Sequence, residues 1–227
     1  MSADRHTVLA WSGGKDSTLA LAELRARGDT DIVALLTTIT ADYDRVSVHG
    51  VRRSLLRAQA AALALPLVEA EIPAACTNAV YDDAMRRALE EIRERWPHAD
   101  SVAFGDLFLQ DVRAYREERM AGSGLAPIFP VWGRNTGELS CEFIAQGHRA
   151  TLVCVDLQAL DASFAGREYD PALLADLPAG VDPCGERGEF HTFVHASPLF
   201  TRDIAVRLGD TVVRDERFVY RDLVPVD

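Results

Sequence analysis

The chain has 227 residues, 48% of them hydrophobic, enough to bury a core in one domain or in one domain with an appendage. Its 24 basic against 35 acidic residues give a net charge of −11, and such a surface repels a phosphate backbone, so a nucleic-acid partner is disfavoured. Cys76, Cys141, Cys154 and Cys184 form no Cys-x-x-Cys pair, which disfavours zinc, iron–sulfur and disulfide frameworks, and neither a leader nor a bilayer-length apolar run is apparent, so a cytoplasmic protein with no membrane partner is expected.

In chain order, apolar β-rich runs are predicted as strands at residues 7–11, 32–39, 67–72, 101–104, 126–130 and 151–156. Runs of 3.6-residue periodicity are predicted as helices at 17–27, 51–64, 78–96, 109–121 and 136–147. The third helix carries an apolar stripe of Met85, Leu89, Ile92 and Trp96, with pairs Arg86/Glu90, Arg87/Glu91 and Glu91/Arg95 toward solvent. Strand–helix alternation of this kind predicts an α/β fold, a doubly wound, mainly parallel sheet of Rossmann-like type. Its ligands sit at the carboxyl ends of the strands. The pattern changes near residue 157, where Pro171, Pro178, Gly180 and Pro183 interrupt the chain. Residues 200–208 and 211–220 then alternate around Gly209-Asp210, a predicted hairpin turn. The expected division is an α/β ligand-binding domain at 1–157 and a smaller substrate-proximal segment at 158–227. The oligomeric state stays open, an oligomer being possible.

Two runs carry chemistry. Trp11-Ser12-Gly13-Gly14-Lys15-Asp16-Ser17 ends the first strand and opens the first helix. Glycine lets the backbone approach a ligand closely, and a helix start presents unpaired N–H groups and the positive dipole end. With Lys15 and the Ser12 and Ser17 hydroxyls, the corner is a cradle for phosphate or pyrophosphate. It is not the ordinary Gly-Lys-Ser loop, because Asp16 separates Lys15 from Ser17. The alternative is a plain turn with Asp16 or Ser17 capping the helix. The second run is Gly185-Glu186-Arg187-Gly188-Glu189-Phe190-His191-Thr192, whose two carboxylates, imidazole and hydroxyl suit a polar substrate, Mg²⁺ or acid–base work. Its alternative is a solvated surface turn. Asp106 and Arg113, after the fourth strand, suit a carboxylate or phosphate. Arg119 reads as a solvated face, Cys184 as a packed thiol, Trp132 as core or pocket wall, and His49 as incidental or as a residue over the nucleotide.

Ser-Gly-Gly-Lys-Asp-Ser resembles the signature of the PP-loop ATP pyrophosphatases, of adenine nucleotide alpha hydrolase-like fold. Followed by Gly-Glu-x-Gly-Glu-Phe-x-Thr, it resembles the diphthine–ammonia ligase family. Pro130-Val131-Trp132-Gly133, the stretch from Ala145 to Val155, and Phe164-Ala165-Gly166-Arg167 fit the same family, so the likeness covers most of residues 5–200. One segment departs: where members acting on diphthine carry Gly-Ala-Ile-x-Ser-Asp-Tyr-Gln-x-x-Arg, this chain has Phe104-Gly105-Asp106-Leu107-Phe108-Leu109-Gln110-Asp111-Val112-Arg113.

The resemblance implies an AMP- and pyrophosphate-forming ligase using ATP and Mg²⁺, which adenylates a small-molecule or protein-side-chain carboxylate and amidates it with ammonia. Ser12, Gly13, Gly14, Lys15, Asp16 and Ser17 then hold the phosphates, with Asp16 the candidate Mg²⁺ ligand. Adenine rests near Thr37 and Thr38. Lys15, Asp16, Glu186, Glu189 and His191 are the catalytic candidates, and Asp106, Arg113, Gly185, Glu186, Glu189 and Thr192 the substrate contacts. Other readings are a PP-loop enzyme acting on another small acceptor, a tRNA-modifying enzyme, and a non-catalytic nucleotide-binding regulator.

Overall fold

A computed structural model of the chain describes residues 5–226. In order its elements are β1 (Arg5–Ala10), α1 (Lys15–Arg27), β2 (Thr30–Thr40), β3 (Arg45–Val46), α2 (Arg53–Leu63), β4 (Leu67–Ile72), α3 (Asn78–Arg95), β5 (Ser101–Ala103) and α4 (Gln110–Met120). There follow β6 (Ala126–Ile128), α5 (Thr136–Ala145), β7 (Arg149–Asp156), α6 (Pro171–Asp176), β8 (Phe190–Ala196), β9 (Val206–Arg214) and β10 (Phe218–Pro225).

Successive strand residues point to opposite faces, and both faces are covered. Val8, Ala34 and Leu36 join Ala88, Leu89 and Ile92 of α3 and Met120 of α4 in one core. Leu9 and Leu35 join Leu19 and Leu21 of α1, Leu56 and Leu63 of α2 and Phe143 of α5 in the other. Hence the strands read as nearly continuous apolar runs rather than alternating ones.

The parallel strands run β4-β2-β1-β5-β6, and β3 pairs antiparallel with Ile39 and Thr40 at the far end of β2. Crossovers go from β1 outward to β2 and β4, then return to β5 and β6 on the other side. The order therefore reverses between β1 and β5, and a crevice opens beyond their carboxyl ends. This is the doubly wound, Rossmann-like α/β fold expected.

A second sheet is antiparallel, in the order β8-β7-β10-β9. It corrects three expectations. Strand β7, assigned to the nucleotide unit, pairs instead with β8 and β10, so a division at residue 157 would cut β7 from its own sheet. Gly209-Asp210 is no turn but a bulge within β9, opposite Asp222; a Cβ on Gly209 would lie 2.9 Å from the Val224 side chain. The reversal falls at Asp215 and Glu216, whose φ of 51° and 52° give the left-handed turn that matches strand twist. Residues 200–205 lie outside any strand. On α3, Arg87 pairs with Asp83 rather than Glu91, while the Arg86–Glu90 and Arg95–Glu91 pairs form.

Candidate active site

Ser12, Gly13 and Gly14 bridge β1 and α1 at the switch point. Gly13 has φ +79°, and a Cβ there would lie 2.6 Å from Gln59 Oε1. Gln59 cannot step aside: it accepts Trp11 Nε1–H at 2.9 Å and donates to the Gly13 and Val194 carbonyls at 3.0 and 2.6 Å. Strand β8 laces onto the same loop. Val194 N–H donates to Gly13 O at 2.9 Å and Lys15 N–H to Thr192 Oγ1 at 3.0 Å. The Ser17 and Thr18 hydroxyls both donate to Gly14 O, at 2.9 and 3.0 Å, fixing the first turn of α1. The amides of Asp16 and Ser17 have no intrahelical partner, and both residues line the cleft.

Lys15 is 2% exposed, and its Nζ donates to both Asp16 oxygens at 2.8 Å and to Cys184 O. Burial pulls the ammonium down, but Asp16 and, further off, Glu186 outweigh it and hold Lys15 above the ordinary lysine range. The cation is thus maintained at a helix N-terminus where water is largely excluded. Burial raises the Asp16 carboxyl more than Lys15 lowers it. Both Asp16 oxygens are committed to Lys15, and among the described residues no group of three or more His, Cys, Asp or Glu could hold a metal. Among the described residues the side chains thus form no Mg²⁺ cage of their own; Asp16 is the carboxylate at the corner that a Mg²⁺ carried on phosphates would meet.

The turn at 182–192 forms the opposite wall, and Asp182, which the sequence reading overlooked, organises it. Its Oδ1 accepts the amides of Cys184 and Glu186 at 2.9 and 3.3 Å, and its Oδ2 accepts Thr136 Oγ1–H at 2.7 Å. The signal was the Asp-Pro-Cys-Gly turn chemistry of residues 182–185. Glu186 Oε1 accepts the Leu107 and Phe108 amides at 2.7 and 3.3 Å, tying the turn to the loop after β5; burial nonetheless lifts its carboxyl. In that loop a Cβ on Gly105 would lie 2.8 Å from the Asp16 backbone carbon, so only glycine allows this approach. Cys184 is a packed thiol, pushed up to about 12 by burial, its Sγ donating to Thr136 O at 3.4 Å.

His191 meets a residue the sequence left open. The rings of His49 and His191 lie 4.4 Å apart, and His49 Nδ1 is buried without a hydrogen-bond partner. The second sheet holds this loop. Arg45 Nη1 donates to Gly50 O and to Asp222, both at 2.8 Å, and Arg52 Nη2 donates to Asp222 at 2.6 Å. Burial, then His191 and Lys15, drive His49 well below the usual histidine range. Burial and Lys15 push His191 down to about 4. Both imidazoles are neutral near pH 7 and offer a lone pair to a proton.

These elements enclose a cleft of about 550 Å³, onto which come Ser12, Lys15, Asp16, Ser17, Thr37, Thr38, Asp106, Gly185, Glu186, His191 and Thr192, with His49 and Arg116. Gly13 and Gly14, expected at the phosphates, do not line it: Gly13 packs against Gln59 and Gly14 against Thr192. Two more expected contacts are not brought in. Glu189 turns inward, its oxygens accepting the Asp182 and Arg187 amides at 3.0 and 2.9 Å. Arg113 pairs with Glu117 at 2.8 Å and lies over the Phe129 and Trp132 rings at 4.8 and 4.9 Å, which also keeps Trp132 from the cleft. Arg116, one turn on, reaches the cleft instead. Its Nε lies 3.5 Å from Asp106 Oδ2, and neither buried atom makes a hydrogen bond.

Comparison with known sequences points the same way. Residues 5–126 match the diphthamide synthase N-terminal domain and residues 135–221 its C-terminal domain, the two meeting in the stretch that joins the sheets. The diphthine–ammonia ligase of Danio rerio is 27% identical over 226 residues, 90% of this chain and 88% of its own length. That of Rattus norvegicus is 30% identical over 223 residues, and that of Homo sapiens 28%, each over 89% of this chain and 83% of its own. With both sheets accounted for by consecutive domain profiles, the chain belongs to the diphthamide synthase family.

Proposed function

We propose that the protein is an ATP-dependent ligase that joins ammonia to a carboxylate, forming AMP and pyrophosphate. The observation that carries this reading is Lys15, buried and kept charged at a helix N-terminus, on one cleft with the free valences of Asp106 and Arg116 and the neutral imidazole of His191. The relatives' names supply diphthine and ammonia as their substrates; here the acceptor is assigned only as a carboxylate, because the loop at 104–113 differs from the family pattern.

In this reading the phosphates lie along Ser12–Ser17, with the Asp16 and Ser17 amides and the Lys15 ammonium meeting the charge that builds up as pyrophosphate departs. Adenine lies toward Thr37 and Thr38. Arg116 presents the acceptor carboxylate, one oxygen of which attacks the α-phosphorus while the bond to pyrophosphate breaks. Ammonia then adds to the acyl carbon, its surplus proton passes to His191 or His49, and AMP leaves with the C–O bonding pair. Asp106 accepts a hydrogen bond from the incoming ammonia beside the Arg116-held carboxylate, and Glu186 and Thr192 keep the two walls in register. Any Mg²⁺ enters on the phosphates, and no step is assigned to it.

³¹P NMR of the protein with ATP, Mg²⁺, ammonium and a panel of carboxylates tests this. AMP and pyrophosphate, dependent on a carboxylate, are expected. ADP and phosphate would overturn the reading, and nucleotide binding without turnover across the panel would favour a regulator.

A further inference from the structure

A second cavity of about 420 Å³ lies between α3 and α4 and shares part of its wall with the candidate cleft. Tyr81, Met85, Phe104 and Arg116 line both. Its wall is otherwise apolar, with Leu89 and Met120, while four arginines and two acids, Asp82 and Glu90, surround it. The count of +4 against −2 stands out in a chain of net charge −11. Two of the arginines are satisfied: Arg86 by Asp83 and Glu90, and Arg119 by Asp82. The other two are held less tightly. Arg93 donates only to Ser123 O, at 3.2 Å, and among the described residues it has no carboxylate partner. Arg116 is ion-paired with Asp106 at 3.5 Å, the facing Nε and Oδ2 making no hydrogen bond, and its guanidinium lies over the Phe104 ring at 5.1 Å. A concave apolar space of this size with a few polar anchors is the form of a small-molecule subsite.

We infer that this groove receives the non-reacting part of the acceptor, so that the acceptor is an elongated carboxylate with an apolar body and a second anionic group. Its reacting carboxylate meets Arg116 at the junction with the cleft. The body lies on Met85, Leu89, Phe104 and Met120, and the distal anion meets Arg93. The inference rests on the proposed ligase reading for the identity of the reacting group, but the binding it predicts is measured without turnover.

The chain contains three methionines, of which Met85 and Met120 line the groove, and Met120 lines the groove without lining the cleft. Methionine-methyl NMR of the full chain, saturated with a non-hydrolysable ATP analogue, therefore reports on the groove directly. Titration with hexanedioate is expected to shift the Met120 methyl saturably. Hexanoate should bind about tenfold more weakly, the loss of one charged hydrogen-bonded contact, and acetate should leave Met120 unmoved. In Arg93→Gln the dicarboxylate should lose its advantage over hexanoate. A stationary Met120 signal at saturating hexanedioate would overturn the inference, as would equal binding of hexanoate and hexanedioate by the unaltered protein. Failure of the ATP analogue itself to bind would instead strike at the nucleotide site and the ligase reading.

Discussion

The corner at residues 11–18 and the turn at residues 182–192 face each other across one cleft, yet different physics assigns their side chains. In the corner, side-chain placement follows from local geometry. A strand end, two glycines and a helix start put amides and a lysine at one point, and Gln59 and β8 only brace what the local sequence dictates. In the turn, backbone amides from elsewhere compete for the acids. Glu186 is taken by the 107–108 amides and still lines the cleft, whereas Glu189 is taken by the Asp182 and Arg187 amides and turns away. A buried amide without a partner costs enough to decide where a nearby carboxylate points, whatever the charge density of the motif suggests.

The strongest test of the comparison is Lys15→Ala. If the corner works locally, ATP turnover should fall by about 10²–10³-fold, the scale for removing a preorganised electrostatic contact. Stability should also fall, by less than the roughly 3–5 kcal/mol of a fully buried ion pair, because the Asp16 side chain is 31% exposed. Lys15→Ala/Asp16→Asn separates the two effects. Its thermal midpoint should recover toward that of the unaltered protein while pyrophosphate release stays low. Recovered turnover in the double variant would show that the corner does not need its cation.

Gly105→Ala tests how closely the loop after β5 must approach. Its Cβ would meet backbone rather than a movable side-chain end, so about 3 kcal/mol of stability should be lost in denaturant titrations, the upper end of ordinary overpacking. Next in size is the contrast between the two acids. Glu189→Gln keeps one oxygen and strands one of two amides, costing about 1–2 kcal/mol. Glu186→Gln can hold Leu107 and Phe108 with its remaining oxygen and should melt close to the unaltered protein. Equal losses in the two variants would erase the distinction between a bracing acid and a cleft acid.

The same contrast explains what could be read from the sequence. Element order and the parallel sheet followed from apolar runs of strand length alternating with helical periodicity, and the lysine-bearing strand-to-helix corner from residue types adjacent in the chain. Strand β7 was placed in the wrong sheet because its run, Thr151 to Asp156, is equally apolar whether its neighbours are parallel or antiparallel; only its partners β8 and β10 decide. Arg113 and Arg116 are three apart on one helix, and nothing local reveals that Phe129 and Trp132 capture the first and leave the second for the cleft. His49 could not be weighed without Asp222, some 170 residues further on, which holds its loop through Arg45 and Arg52.

The smallest expected effect concerns His191 and has a definite sign. Native His191 titrates at about 4, whereas in the unfolded chain it returns to the usual value near 6.5. Between these values the unfolded state binds more protons, so the contribution of His191 is complete above pH 6.5 and is lost as the pH falls toward 4. His49 acts in the same direction. Asp16 and Glu186, whose carboxyls are raised by burial, act in the opposite direction at the acid end of the range. The midpoint against pH for the unaltered protein alone therefore mixes signs, and the difference from His191→Gln isolates one imidazole. Glutamine does not titrate, so the variant's midpoint should fall less steeply from pH 6.5 to 4, while above 6.5 the two curves run parallel. Parallel curves through the acid range as well would mean that His191 is not held neutral beside Lys15, and the turn would then lack the proton acceptor that the proposed reaction assigns to it.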